Sequence, residues 1–279
     1  MARVPPLRQP IATATGPLDL LRHLAEFWRR RDLLWHMTVR HLRGQYKQSV
    51  LGYAWAFLNP LTLLLTLSFV FSVLLRFPSQ GLPYALFVLV GLLPWMFFAN
   101  GLTTATDSVS GAMNLVTKVY FPREILPMAA INTKIVDLFF GLIILAGLMM
   151  IYNHPPTETM LWVPLLFGIQ LIFTAGLAFP MAALNVYFHD VRYLVGVVLT
   201  MWFYLTPVIY PVEIVPSKYQ FIFDLNPMAI LVNAYRRVIL LDDSPAMDRL
   251  LLGLGIAVVT FVVGYFLFKR MEAGFADRI

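Results

Sequence analysis

The chain alternates between long stretches without a charged residue and short segments that carry nearly all of the charge. Stretches free of Asp, Glu, Lys and Arg run over 48–75, 77–106, 138–157, 159–189, 193–212 and 250–268. A helix that crosses the hydrocarbon core of a bilayer needs about 20 consecutive apolar residues, so the pattern predicts six spans. Pro83 and Pro94 interrupt the second stretch and Pro164 and Pro180 the fourth. Kinks or interfacial turns are expected there, because proline removes a backbone donor and lipid supplies no replacement.

Ahead of the first span, residues 18–47 are too polar to cross and read as interfacial helices. Trp35, Val39, Leu42 and Tyr46 recur at helical spacing while Arg40, Arg43 and Lys47 occupy another face. That is the pattern of a helix lying in the headgroup plane, with Asp32 as its N-cap. In the segment 213–249, Met228, Leu231, Tyr235 and Val238 are spaced for a short amphipathic helix. It would follow the Asn226-Pro227 turn and dip back toward the membrane. The expected architecture is an all-α integral membrane protein. A cytoplasmic N-terminal segment (1–50) with an interfacial helix precedes a six-span domain (51–279) that has short re-entrant helices in its last outer loop.

Basic residues orient this arrangement. Fifteen lysines and arginines fall on the side of the N-terminus, nine of them within residues 1–51. The other side has five, Arg76, Lys218, Arg236, Arg237 and Arg249, and Lys134 lies inside the third span. Cytoplasmic loops carry the excess, which predicts cytoplasmic termini. No apolar run precedes position 48, so no cleavable signal peptide is expected.

Composition narrows the chemistry. Only 13% of residues are charged, where a soluble domain has about 25%, so an ordinary water-soluble enzyme is excluded. Cysteine is absent, which removes disulfides, thiolate metal sites and a cysteine nucleophile. No glycine is followed by lysine, so there is no P-loop, and any ATP dependence must come from another polypeptide. No H-E-x-x-H or G-x-S-x-G occurs either. Asp242, Asp243 and Asp248 are the best candidates for cation-assisted chemistry, but Ser244 and Pro245 beside them mark an ordinary turn. Lys134 and Asp137, at i and i+3, are expected to neutralise each other, and one such pair makes a poor proton relay. Tyr53, Trp55 and Phe57, and later Trp202, Tyr204 and Tyr210, sit near span ends. An aromatic belt accounts for them, although aromatic faces would also let sugar rings slide past. Arg40, Arg43 and Lys47 suit either membrane anchoring or a phosphorylated headgroup.

Gln45 to Leu51, followed by Gly52, Tyr53, Trp55, Asn59 and Pro60, resembles the permease subunit of bacterial ABC exporters for polysaccharides. Further runs agree in order: Lys118 to Pro127, Asn185 to Arg192, Trp202 to Pro211, and Leu225-Asn226-Pro227. The resemblance spans about positions 33–240, with O-antigen and teichoic-acid exporters as the nearest branch. It implies a homodimer working with two copies of a separate ATPase subunit, which binds the ATP and Mg, so that this chain holds no cofactor and makes or breaks no bond. The cargo it implies is a polyprenyl-pyrophosphate-linked glycan, with membrane lipids and no nucleic acid as the other partners. Residues 108–118 then suit a coupling helix toward the ATPase, capped by Asp107 or Ser108, with Met113, Asn114, Leu115 and Lys118 as contacts and Val116 as a further apolar one. Arg40, Arg43 and Lys47 would orient the pyrophosphate. Tyr53, Trp55, Phe57, Trp202, Tyr204 and Tyr210 would line the path. An ABC permease for a small amphipathic drug or lipid is the alternative.

Overall fold

A computed structural model describes residues 30–47, 51–76, 81–119 and 121–275. The part of the N-terminal segment before Arg30, the motif residues Gln48 to Val50, and Tyr120 lie outside the described residues, as does the side chain of Tyr46. Every regular element among the described residues is helical. In chain order these are α1 (Arg31–Tyr46), α2 (Ala54–Ser68, extended by a π-helical turn over Phe69–Leu74), α3 (Tyr84–Thr106), α4 (Met113–Lys118), α5 (Ile125–Ile151), α6 (Val163–Tyr187), α7 (Val191–Tyr204), α8 (Gln220–Asp224), α9 (Pro227–Leu240) and α10 (Met247–Glu272).

Five of these are long and apolar enough to cross a membrane: extended α2, α3, α5, α6 with its preceding 3₁₀ turn, and α10. The span expected over 193–212 takes another form. Helix α7 has 14 residues, about 21 Å at 1.5 Å per residue, well short of the ~30 Å core. It stops before Thr206-Pro207, since proline disfavours helical backbone in the residue before it and donates no hydrogen bond. The third spanning helix starts at Ile125, 13 residues ahead of the charge-free stretch, and contains Lys134 as expected. Lys134 and Asp137 lie within it and hold each other at 3.3 Å, so their charges do not end it.

Helix α3 forms the centre. Leu86, Leu89, Leu92 and Phe98 are fully buried, as expected of a helix that is hydrophobic all round. Helices α6 and α10 form the closest pairing. Pro180 sits inside α6, so the Gly176 carbonyl loses its in-helix donor. Gly264 of α10 packs directly on that carbonyl, where a Cβ would collide with the Gly176 oxygen. Small residues let helix backbones approach this closely. The other expected breaks are milder: Pro83 precedes α3 and Pro164 lies in the first turn of α6, while Pro94 is carried within α3.

The chain after α7 is irregular and buried from Thr206 to Ile209. Each carbonyl from Met201 to Tyr210 nevertheless has a donor. The Met201 and Phe203 oxygens accept from the backbone of Leu205 and Thr206, and the Trp202 oxygen from Thr206 Oγ1 at 2.9 Å. Tyr210 Oη donates to Tyr204 O at 2.7 Å and Asn226 Nδ2 to Leu205 O at 3.1 Å. Val208 N donates to Thr206 O at 2.7 Å, and Tyr84 Oη to Ile209 O at 2.8 Å. Arg236 supplies the rest: Nη1 donates to Pro207 O (2.5 Å) and Tyr210 O (3.4 Å), Nη2 to Val208 O (2.6 Å).

Arg236 lies on α9, is 5% exposed, and stacks over Phe87 at 3.7 Å. The sequence count placed it among loop charges; the structure places it inside the bundle. Gly91 of α3 leaves the room it needs, since a Cβ there would lie 2.9 Å from Arg236 Nη2. The predicted amphipathic helix is α9, with Met228, Leu231, Tyr235 and Val238 all buried. Asn226 caps it by accepting from Met228 N and Ala229 N. Its last carbonyls meet the α5–α6 connection, where His154 Nε2 donates to Ile239 O and Thr159 Oγ1 to Val238 O.

A bare buried acceptor costs about 1–3 kcal/mol, so Arg236→Met, which bares several, is expected to be severely destabilising. Thermal unfolding in detergent should show a large loss of stability in Arg236→Met and a smaller one in Arg236→Lys.

Candidate functional site

The end of the bundle that carries α4 also carries α1 with Arg40 and Arg43, and two cavities whose walls hold residues singled out in the sequence. Helix α1 packs on α5, with Thr38 buried (7% exposed) and Leu33 set against the core, while Trp35, on the expected apolar stripe, is 66% exposed and turned away from the bundle. Asp32 lies in the first turn of α1 instead of capping it; the N-cap is Arg30, with no side-chain cap. Asp32 still favours that end, since an acid in the first turn complements the helix dipole. The motif glycine Gly52 turns the chain into α2 with φ of +49°, a conformation glycine adopts without strain.

Two cavities adjoin beneath α1. The larger, about 540 Å³, is lined by Arg40, His41, Gln45, Asp107, Leu115 and Lys134, among others. The smaller, about 290 Å³, is lined by Gln45, Trp55, Asn59, Asn100, Thr104, Lys134 and Asp137, among others. Gln45, Thr104 and Lys134 belong to both walls. Lys134 Nζ donates to Gln45 Oε1 at 3.0 Å and pairs with Asp137, so one buried ammonium ties the end of α1 to α5. His41 is held below its ordinary pKa, first by desolvation and then by the Lys134 and Arg40 cations.

Of the three basic residues expected at a headgroup, Arg40 reaches the larger cavity, whereas Arg43 and Lys47 are exposed and outside its walls. Trp55 lines the smaller cavity and is 54% exposed. Tyr53 and Tyr204 are exposed, and Phe57 is half-buried. Trp202 is half-buried against Phe98 and Phe173, with its Nε1 donating to Asn226 Oδ1. Tyr210 is committed to the Tyr204 carbonyl. Tyr53, Phe57, Trp202, Tyr204 and Tyr210 do not line the cavity that Trp55 lines.

The coupling segment is shorter than 108–118: a 3₁₀ turn over Ser110–Ala112 leads into α4. Val116 is buried and Met113 and Leu115 are half-buried against this chain's own core, so the outward face consists of Gly111, Asn114, Thr117, Lys118 and Val119. Neither Asp107 nor Ser108 caps α4, whose N-cap is Ala112.

Asp107 holds a different bond. Asn185, 1% exposed near the end of α6, donates through Nδ2 to Asp107 Oδ1 (3.1 Å) and Ser110 Oγ (3.0 Å) and accepts from Arg192 N (3.2 Å). One carboxamide thus joins the turn before α4 to the start of α7. Beside it, buried Glu124 accepts from Lys269 Nζ at 2.7 Å, and Lys269 also reaches Glu272. Arg123 donates to Glu272 O at 2.6 Å. The start of α5 is thereby fastened to the end of α10. At the opposite end of the bundle the acidic cluster is engaged with its neighbours: Asp243 pairs with Arg237 and Asp248 with Arg249, while Asp242 lies 3.2 Å from the Thr159 hydroxyl.

Sequence reasoning missed Asn59, Asn100, Asn185 and Arg236 as a set. The signal was present: each is a polar residue at a position that would otherwise face apolar neighbours in a spanning or buried helix, where a polar group is costly unless partnered or used.

The ABC-2 type transporter family model matches residues 32–240. Among curated proteins, the O-antigen export system permease protein RfbA of Myxococcus xanthus is 32% identical over 93% of this chain and 100% of its own length. The RfbA permease of Klebsiella pneumoniae is 27% identical over 88% of this chain and 94% of its own length. The polysialic acid transport protein KpsM of Escherichia coli is 20% identical over 85% and 92%. Matched along three quarters of its length by the family model and along nearly all of it by these permeases, the chain belongs to the ABC-2 type transporter family.

Proposed function

We propose that the chain is the permease of an ATP-driven exporter that carries a lipid-linked polysaccharide, of O-antigen or teichoic-acid type, across the bacterial cytoplasmic membrane. The observation that carries this reading is the end-to-end similarity to RfbA, a protein named for O-antigen export. Two copies would act with two ATPase subunits, which bind ATP and Mg; this chain contributes neither a P-loop nor a cofactor. Its termini would be cytoplasmic. Support comes from the excess of basic residues on that side and from α1 and the end of α10 lying at the same end as α4.

The division of labour follows from chemistry. A long glycan needs a continuous conduit, and α2 and α7 leave apolar and aromatic residues bare, among them Tyr53, Trp55, Leu65, Val197, Met201 and Tyr204. A second copy covering part of these faces would place Tyr53, Trp55 and Tyr204 along a shared path, with Phe57, Trp202 and Tyr210 supporting its wall. Arg40, Arg43 and Lys47 would attract the pyrophosphate. The exposed Asn114 and Lys118 of α4 would meet the ATPase, backed by Met113 and Leu115. Asn185 would carry a displacement of α4 to α7.

A deletion strain is expected to lose its surface polysaccharide and regain it on complementation. An unchanged polysaccharide profile, with altered sensitivity to amphipathic drugs, would overturn the reading in favour of a small-molecule exporter. In the complemented strain, Arg43→Gln with Lys47→Gln should lower export roughly thirtyfold, at about 1 kcal/mol for each charge near an anionic surface, without disturbing assembly with the ATPase. For Asn185→Leu, ATP hydrolysis by the assembled complex should persist while glycan exported per ATP falls at least tenfold. Co-purification with the ATPase separates that outcome from misassembly.

A further inference from the structure

The smaller cavity has features that neither a headgroup site nor a structural ion pair requires. At about 290 Å³ it is at the lower end of small-ligand pockets, which run from about 300 to 1,000 Å³. Its one cation, Lys134, is matched by Asp137 at 3.3 Å. A phosphate would have to compete with a carboxylate already in place, so the pair disfavours an anion and suits a ligand without net charge.

Asn59 of α2 and Asn100 of α3 both line this cavity, and among the described residues their carboxamides have no hydrogen-bond partner. Both helices are long and apolar enough to cross a membrane, and with Asn59 exposed and Asn100 half-buried both amides are open to a ligand entering this space. Two such amides on adjacent helices, facing one space, are placed for something that both donates and accepts. The other walls extend that inventory. Gln45 accepts from Lys134 through Oε1, which leaves its amide N–H groups to donate. The Asp137 carboxylate, paired with Lys134 and a quarter exposed, contributes acceptor oxygens to the wall. Thr103 and Thr104 spend their protons on the Ala99 and Asn100 carbonyls, which leaves hydroxyl lone pairs. Trp55 adds an open aromatic surface.

We propose that this cavity, walled by Gln45, Trp55, Asn59, Asn100 and the Lys134–Asp137 pair, is a binding site within one protomer for a single neutral sugar ring. Hydroxyls that donate and accept meet the amides and the carboxylate, and the C–H face of the ring meets Trp55. That the ring belongs to the exported glycan rests on the function proposed above; the preference of the cavity for a neutral polyol does not.

The test uses the full chain in lipid nanodiscs and saturation-transfer NMR with methyl α-glucopyranoside, methyl α-mannopyranoside and methyl N-acetyl-α-glucosaminide as probes. At least one glycoside should give a signal that falls at least fivefold in Asn59→Leu/Asn100→Leu and, separately, in Trp55→Leu, and inorganic phosphate should not compete. Monodisperse elution of each variant shows that it is folded, and the single variants Asn59→Leu and Asn100→Leu stand in where the double one is not. Equal signals in wild type and variants overturn the proposal, as does no glycoside signal or displacement by phosphate. If surface polysaccharide depends on the chain but no glycoside binds, the site fails and the export reading stands. If a glycoside binds as expected but the polysaccharide does not depend on the chain, the export reading fails and the site stands.

Discussion

A backbone that leaves its helix among apolar neighbours must find donors for its carbonyls, and in this protein that demand falls on the stretch after α7. Ten consecutive carbonyls, from Met201 to Tyr210, are met by a mixture of backbone and side-chain donors, with the guanidinium of Arg236 taking three of them. Water would do this work at a surface; here side chains must. The demand explains a charged residue on a buried helix, Gly91 opposite it, and Asn226 serving both α7 and the first turn of α9. Helix α9 is held inside the bundle by this arrangement as much as by its apolar faces.

The two ends of the bundle are fastened differently. At the α4 end, charged and amide groups bridge separate helices: Asn185 between the turns at α4 and α7, Glu124 and Lys269 between α5 and α10, Lys134 between α1 and α5. These side-chain links lie in partly buried surroundings, where a charge-assisted bond is strong and leaving one partner alone is costly. At the other end the fastening is mostly side chain to backbone, as with Tyr84, His154, Thr159 and Arg236. The α4 end is thus joined at a few discrete side-chain links, whereas the far end is knitted to its own backbone.

Much of this was legible from charge spacing. The apolar windows located α2, α3, α6 and α10, and the period through Met228, Leu231, Tyr235 and Val238 located α9 with its Asn226 cap. What failed shares one cause: a rule about single residues was applied where residues act in pairs. Arg236 was counted as a loop charge because nothing in the sequence shows the carbonyls that receive it. The stripe of Trp35 on α1 was visible by periodicity, but the buried side of α1 carries Leu33 and Thr38 instead. The cavity residues Asn59 and Asn100 lie 41 positions apart, and only the pairing of α2 with α3 brings them together.

The seam between α6 and α10 bears on how such a molecule moves. With Gly264 seated on the carbonyl that Pro180 frees, the two helices interlock backbone to backbone, and neither can slide or roll without opening a gap that no side chain fills. They form one rigid pair. Helix α2, which leaves most of its surface bare, has no such keying.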